Sequence, residues 1–397
     1  MSASSYRGAV SIVGLGYYPF SRNSGVSTLT LAVRACLDAC ADAGVPVGEV
    51  DGIAMYQHWG DSVGPQEVSA ALGLRRVTYS LEWFAGGNAS SGIVMQAANA
   101  VHAGIASYVL VFRAMNGRSG FRMGGIHRAE TTMKEPGPHQ FQMPYGLITP
   151  PEIFGMEARV YMERYGVKSE DLALVAVNNR QNASLNPRAI YRNPISVEDH
   201  QNSRIICEPY HLFDCCTESD GAVAMLVTGT ARAGGLKHRP VSILSAVGGG
   251  VRPADPAVTY ASVTKDQLLS AANIGLDAVD VFEPYDDFTD YPMRLLEDVG
   301  FCGRGEAKEF IRDGNVSLDG RVAMNCHGGL LSEGYVHGLN NVASAVEQLR
   351  GEAEDLCPGW REGDHTFDRG LCRQVRDARI ALTYAVGGAS ALVLQWE

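Results

Sequence analysis

Apolar residues along this chain gather into short runs of strand length that alternate with longer stretches of helical spacing. Val10–Gly16 is a strand-like apolar run. Leu29, Val33, Cys36, Leu37 and Cys40 then recur every three to four residues, which predicts one face of a helix over Thr28–Ala43 that stops at Gly44. Asp51–Tyr56 returns to strand. A glycine-rich turn, Ala85-Gly86-Gly87-Asn88, opens a helix to about Ala103, closed by Gly104, before the buried strand Tyr108–Ala114. Further on the alternation repeats. Val241–Ala246 reads as a strand, and Thr264 is a suitable N-cap for a helix over Lys265–Ala272. Val279–Glu283 is a strand, a helix follows around Tyr291–Val299, and strands Ile380–Val386 and Ala389–Gln395 turn at Gly387-Gly388. This order predicts an α/β fold whose sheet is mostly parallel and covered by helices.

Two similar halves result, residues 1–240 and 241–397, the first holding an irregular insert at about 116–215. In the insert Gly117, Gly120, Gly124 and Gly125 precede Pro136-Gly137-Pro138, Pro144 and Pro150-Pro151. Such dense punctuation predicts a loop domain or lid, with some packed structure from a helix around Pro151–Tyr165 and the segment Leu172–Asn186.

Composition narrows the partners. A net charge of −11 argues against nucleic acid or an anionic membrane surface. No stretch approaches the roughly 20 apolar residues of a membrane span. The polar start Met1–Tyr6 and the glycine-broken run after it carry no cleavage signature, so a cytoplasmic protein is expected. Arg113, Arg118, Arg122 and Arg128 could form a local basic patch for an anionic ligand, or equally a solvated loop. Nine cysteines without CxxC spacing read as reduced thiols, mostly buried, rather than as a disulfide framework or a zinc site.

Gly14-Leu15-Gly16 follows a strand, but Pro19 stands where a dinucleotide-binding turn wants its third small residue. That reading is set aside in favour of a glycine-rich strand end. Other motifs occur in order along nearly the whole chain: Gly87-Asn88-Ala89-Ser90-Ser91-Gly92, Ser219-Asp220-Gly221-Ala222, Val281 to Phe288, Asn325 to Tyr335, and Val386-Gly387-Gly388-Ala389. Together they resemble thiolases, and in particular the thiolase-like non-specific lipid-transfer-protein family. The resemblance implies a five-layer αβαβα fold built from two repeated mixed-sheet halves plus a loop domain.

The departures from the thiolase pattern carry the chemistry. A thiolase attacks its thioester with a Cys at a helix N-terminus, and the family's spacing puts that position at Gly87. No cysteine lies between Cys40 and Cys207. Tyr285 and Asp287 stand where the His-Asp-Cys-Phe motif has His and Cys. Tyr335 replaces the His of Gly-His-Pro, and Ala385 the second catalytic Cys. An acyl-enzyme route is thereby excluded. A phenol is a proton donor near neutral pH, which suits retro-aldol cleavage of a β-hydroxyacyl-CoA. One tyrosine, with Asp286 or Asp287, could manage the hydroxyl proton while the other serves the enolate. None of the five lysines falls in these motifs, which closes a Schiff-base route, and His327 and His337 lack metal-ligand spacing, so no metal is expected.

Gly87, Asn88, His327, His337, Gly387 and Gly388 are expected to contact substrate. His58, Trp59 and the run His139–Tyr145 could line an apolar pocket or simply pack. The family resemblance implies an aldolase that cleaves a 17-hydroxy steroid with a three-carbon CoA thioester side chain to a 17-ketosteroid and propionyl-CoA. It also implies a homodimer bound to a small OB-fold, zinc-ribbon partner, making a heterotetramer. No cofactor is expected in this chain, since CoA enters with the substrate and any zinc belongs to the partner. The alternatives are a non-catalytic acyl-CoA or lipid-binding scaffold and, less favoured, an acetyl-CoA acyltransferase.

Overall fold

The computed structural model describes residues 4–120, 122, 139–250, 253–354 and 372–396. Ten strands form one sheet: β1 Ser4–Ser21, β2 Gly52–Gln57, β3 Tyr79–Phe84, β4 Tyr108–Asn116, β5 Asp220–Gly229, β6 Val241–Val247, β7 Val281–Pro284, β8 Ala323–Met324, β9 Ile380–Tyr384 and β10 Ala391–Trp396. Their spatial order is β8-β7-β9-β10-β6-β1-β5-β4-β2-β3. Each half contributes five strands in the same relative order, and the halves meet where β1 runs antiparallel to β6.

The sheet is mixed, not mostly parallel. Only β2 with β3 and β4, and β7 with β8 and β9, pair in parallel. The strands around the junction are antiparallel. The sequence misled here because strand–helix alternation is lost where the insert precedes β5 and where β9 turns directly into β10.

Seven helices set the layers: α1 Thr28–Ala43, α2 Ser90–His102, α3 Pro150–Tyr165, α4 Ser169–Ser184, α5 Ala261–Ala272, α6 Asp290–Val299 and α7 Leu339–Arg350. The helices α2 and α7 lie against each other and touch strands of both halves, so they form the middle layer. On the outside, α1 covers β1, β4 and β5, while α5 covers β6 and β10. The result is the five-layer αβαβα arrangement.

Local chemistry explains the helix ends. Ser27 accepts from the Thr30 amide and Gly44 closes α1 in the left-handed region at φ 73°. The buried stripe of α1 is Leu31, Ala32, Ala35, Cys36, Ala39, Cys40 and Ala43, rotated from the predicted face, and Leu37 is exposed. The cause is Gly14 and Gly16 on β1. A Cβ at either would lie 2.1 or 2.0 Å from the carbonyl oxygen of Ala39 or Ala35, so the glycines let the small-residue side of the helix press onto the strand. The predicted cap at Thr264 is also displaced. The helix starts a turn earlier at Ala261, and Thr264 Oγ1 instead donates to the Tyr260 carbonyl.

Two further expectations change. Arg113 is fully buried on β4 and paired with Asp61 at 2.6 Å, so it belongs to no surface patch. Arg122 pairs with Glu218, and Arg128 lies outside the described residues. Cys372 is disulfide-bonded, whereas Cys36, Cys40, Cys207, Cys215, Cys216, Cys302 and Cys326 are free. Among the described residues no helix is long and apolar enough to cross a membrane.

Candidate active site

The C-terminal ends of β4 and β7, the N-terminal end of α2 and the turn before α7 converge on one point. Leaving β7, the chain places Tyr285 with its amide bound to the Tyr384 carbonyl at 2.8 Å. Tyr335 arrives from the turn before α7, where Ser219 fixes its backbone on both sides. The Tyr335 amide donates to Ser219 Oγ at 2.6 Å, and Ser219 Oγ donates to the Tyr335 carbonyl at 3.2 Å. The two phenol oxygens are then 2.9 Å apart. Leu330 packs with the two rings, and Cys216 and Val386 pack around them.

Gly87 makes this possible. A Cβ there would lie 2.0 Å from the Tyr285 phenol oxygen. Gly338, in the left-handed region at φ 81°, clears the other side of the ring, since a Cβ would lie 2.5 Å from it. The phenol of Tyr285 thus occupies space that any side chain at Gly87 would fill. It sits against the first turn of α2, whose positive end favours a developing negative charge.

Burial is the main force on both phenols and raises each well above the ordinary tyrosine value. For Tyr285 the neighbouring Tyr335 and Asp287 push the same way. For Tyr335, Cys216 and Asp287 also raise it, but the hydrogen bond from Tyr285 pulls it back. Tyr335 is the more accessible, at 9% against 1% exposure. Cys216 is beside the pair, but burial and Asp287 push its thiol up too, which disfavours the thiolate a nucleophile needs.

The remaining sequence-selected residues separate into two groups. Asp287 stays near the phenols and is itself raised well above a normal carboxylate by burial, then by Asp290 and Asp286. Its carboxylate accepts from the Phe288 amide at 3.1 Å, and its carbonyl from the Cys216 amide at 2.8 Å. Gly387 and Gly388 form a turn at φ 61° and 74° against the Gly87–Ala89 turn, and Asn88 is exposed at that edge. Gly387 has open space around its Cα. His337 packs its ring edge-on to Tyr335 with centroids 5.0 Å apart.

Asp286 and His327 take scaffold positions instead. Asp286 accepts from Asn179 Nδ2 at 2.7 Å and from the Leu330 and Leu331 amides at 2.9 and 3.3 Å, so it ties α4 to the 329–332 turn. Burial pushes it up to about 7 despite those donors. His327 lies between Glu283 at 3.1 Å and Glu333 at 3.8 Å. Burial alone would lower it, but Glu283 and then Glu333 outweigh that and bring it to about 8.

Sequence reasoning missed two supports. The first is the asparagine series on α4 and just beyond, where Asn182 holds the Met324 and Asn325 carbonyls and Asn186 holds the His327 carbonyl and Glu333. The insert therefore buttresses the site as well as flanking it. The recurrence of Asn at 178, 179, 182 and 186 was the available signal. The second is Asp61–Arg113, for which the signal was one arginine inside the apolar run Tyr108–Ala114. His58 and Trp59 do lie near the site, with the His58 ring 6.4 Å from that of His337. Among the described residues no group of His, Cys, Asp and Glu could hold a metal ion.

A five-layer fold with a phenol pair over Gly87, where the thiolase resemblance places its cysteine, defines a thiolase-fold protein with tyrosines at its site. The family description "Thiolase C-terminal domain-like" matches residues 251–358. Over 368 residues the chain is 43% identical to the 17-hydroxy-3-oxo-4-pregnene-20-carboxyl-CoA lyase of Mycobacterium tuberculosis, covering 89% of this chain and 94% of that protein. It is 41% identical over 357 residues to the steroid side-chain-cleaving aldolase of Thermomonospora curvata, covering 87% and 91%. A solved structure, the Ltp2-ChsH2(DUF35) aldolase, superposes with a TM-score of 0.86 at 38% identity over 99% of both chains. The chain belongs to this family of thiolase-like, side-chain-cleaving carbon–carbon lyases.

Proposed function

We propose that this chain cleaves a β-hydroxyacyl-CoA by retro-aldol chemistry, the substrate being a 17-hydroxy steroid whose three-carbon side chain is a CoA thioester. The products are a 17-ketosteroid and propionyl-CoA. The observation that carries the reading is the pair of phenols 2.9 Å apart over Gly87. The names of the 43% and 41% identical relatives supply the substrate class.

In this mechanism Tyr335, the more exposed phenol, meets the β-hydroxyl and accepts its proton while passing its own to Tyr285, which gives up its proton in turn to the enolate carbon. The carbon–oxygen bond becomes a ketone, the Cα–Cβ bond breaks, and its electron pair moves into the thioester enolate. A phenol of the pair returns a proton to the enolate carbon. Burial keeps both phenols protonated at rest, which makes them donors when the enolate forms. Asp286 supports this from a distance by holding the 329–332 turn.

The chain itself needs no cofactor, and CoA arrives on the substrate. A partner protein completes the enzyme, as the name of the 38% identical Ltp2-ChsH2(DUF35) aldolase suggests, and the family resemblance makes that partner a small OB-fold protein with a zinc ribbon. Two chains pair through β3, which among the described residues is an edge strand next to β2, with Phe84 at its end 62% exposed. The decisive assay incubates the chain and partner with the 17-hydroxy C3-side-chain CoA thioester. Equal amounts of ketosteroid and propionyl-CoA are expected; tight binding without turnover would support the scaffold reading instead.

A further inference from the structure

We propose that His200 and Asp214 are positioning residues for this reaction: through Thr289 they clamp the segment that carries Tyr285, and so set the distance between the two phenols. This rests on the retro-aldol reading above. One stretch of the insert and its exit, Asp214 to Ser219, touches both tyrosine-bearing segments in turn. The Thr289 amide donates to the Asp214 carbonyl at 3.2 Å and the Cys216 amide to the Asp287 carbonyl at 2.8 Å, so the stretch begins alongside residues 285–289. It then crosses to the other segment. The Thr217 amide donates to the Leu330 carbonyl at 3.0 Å, Thr217 Oγ1 donates to the Leu331 carbonyl at 3.1 Å, and Ser219 holds the Tyr335 backbone on both sides. The register of this one stretch therefore fixes where one phenol stands relative to the other.

Asp214 anchors the stretch at the Tyr285 end. Its fully buried carboxylate accepts from His200 Nε2 at 2.8 Å and Thr289 Oγ1 at 2.6 Å on Oδ1, and from the His211 amide at 2.7 Å on Oδ2. An ionised carboxylate can only accept, so the His200 proton sits on Nε2. Its Nδ1 is then the acceptor for Gln201 Nε2 at 3.1 Å. His200, itself fully buried, is thus a fixed, directional donor that holds the carboxylate facing Thr289.

Thr289 stands at the N-cap of α6, where a threonine hydroxyl ordinarily accepts from an amide of the first helical turn. Here its side chain makes no cap bond, and the hydroxyl donates to Asp214 instead. The bond that would have served the local helix ties the insert to the Tyr285 segment. Proton transfer along the pair depends on the phenols staying near 2.9 Å. A misplacement of about 1 Å can cost roughly 10²-fold in rate even when it starts away from the reacting atoms. His200 and Asp214 act on the reaction through Thr289 and the backbone of residues 285–289.

The test uses the full chain with its partner. Thr289→Val keeps the shape of the side chain and removes the hydroxyl; kcat per folded chain is expected to fall roughly 10²-fold with KM little changed. Thr289→Ser, which keeps the hydroxyl, is expected to recover most of it. Asp214→Asn should fall by a similar factor, and the double variant Asp214→Asn/Thr289→Val no further than either single change, because both break one link. The tyrosine ¹³Cζ resonance that vanishes in Tyr285→Phe is expected to shift in Thr289→Val as the phenol–phenol hydrogen bond loosens. Full kcat per folded chain in Thr289→Val, whatever its melting temperature, overturns the proposal and leaves Thr289 an ordinary structural anchor. Where that variant does not fold, Asp214→Asn is read by the same criterion. A parent that releases no propionyl-CoA overturns the lyase reading itself.

Discussion

The segment from Cys326 to His337 enters two buried polar clusters of opposite character. At one end His327 faces Glu283 and Glu333, and the network continues through Arg188 to Glu347, which Arg188 and Arg373 hold at 2.8 and 2.6 Å. At the other end Tyr335 meets Tyr285 with no ion pair of its own. The charged cluster is closed on itself, with carboxylates and cations alternating. The neutral cluster ends on phenols whose protons can be passed on. A charge network braces the floor, while buried protonated phenols make a proton relay; here His327 and Tyr335 stand eight positions apart on one segment.

Breaking the neutral cluster should have the largest effect. Tyr285→Phe and Tyr335→Phe are each expected to lower kcat by roughly 10²–10⁴ while the melting temperature of the variant stays near that of the parent. Breaking the charged cluster should do the reverse. Glu347→Ala removes the carboxylate that Arg373 and Arg188 share and leaves Arg188 only the more distant Glu333 at 3.6 Å, and a loss of about 3–5 kcal/mol in denaturant unfolding is expected. Burial alone would raise Glu347, but the two arginines hold it at about 2. Its contribution is therefore complete above the unfolded value and lost as pH falls toward 2, so the parent should resist acid better than the variant.

Two smaller changes sharpen the boundary. His327 is raised from 6.5 to about 8, so its contribution is complete below the unfolded value and lost as pH rises through the folded one. In His327→Gln the decline in stability between pH 6.5 and 8 should flatten by about 2 kcal/mol, read from urea midpoints across that range. Gly87→Ala places a methyl group on the Tyr285 phenol oxygen, and overpacking of about 1–3 kcal/mol is expected. It should also cost activity, because the ring must move off Tyr335. A Gly87→Ala variant with unchanged stability and turnover would mean that the glycine has no part in seating the phenol.

Much of the fold was legible because its signals are local. The α1 boundaries follow from Ser27 and Gly44, and the strand cores follow from their apolar runs. Strand direction was not legible in the strand–helix alternation, since it depends on which distant strands meet; the mixed sheet was given only by the family resemblance. The site divides the same way. Tyr285, Tyr335 and Gly87 were found by comparing each residue with the chemistry its position once served, a test that needs no contact map. Asp286 and Asp287 are neighbours of one residue type, and only the tertiary partners of Asp286, above all Asn179 from α4, distinguish a turn anchor from a carboxylate beside the phenols. Arg113 looked like one member of an arginine patch because burial on β4 and pairing with Asp61 are both long-range facts.

The most direct measurement of the central claim is the mass of the CoA product formed in D₂O without added free CoA. Retro-aldol cleavage through a protonating phenol predicts propionyl-CoA carrying one solvent deuterium at its α-carbon, formed in step with the ketosteroid. Release that depends on added free CoA, as an acyl-enzyme would require, would contradict the account.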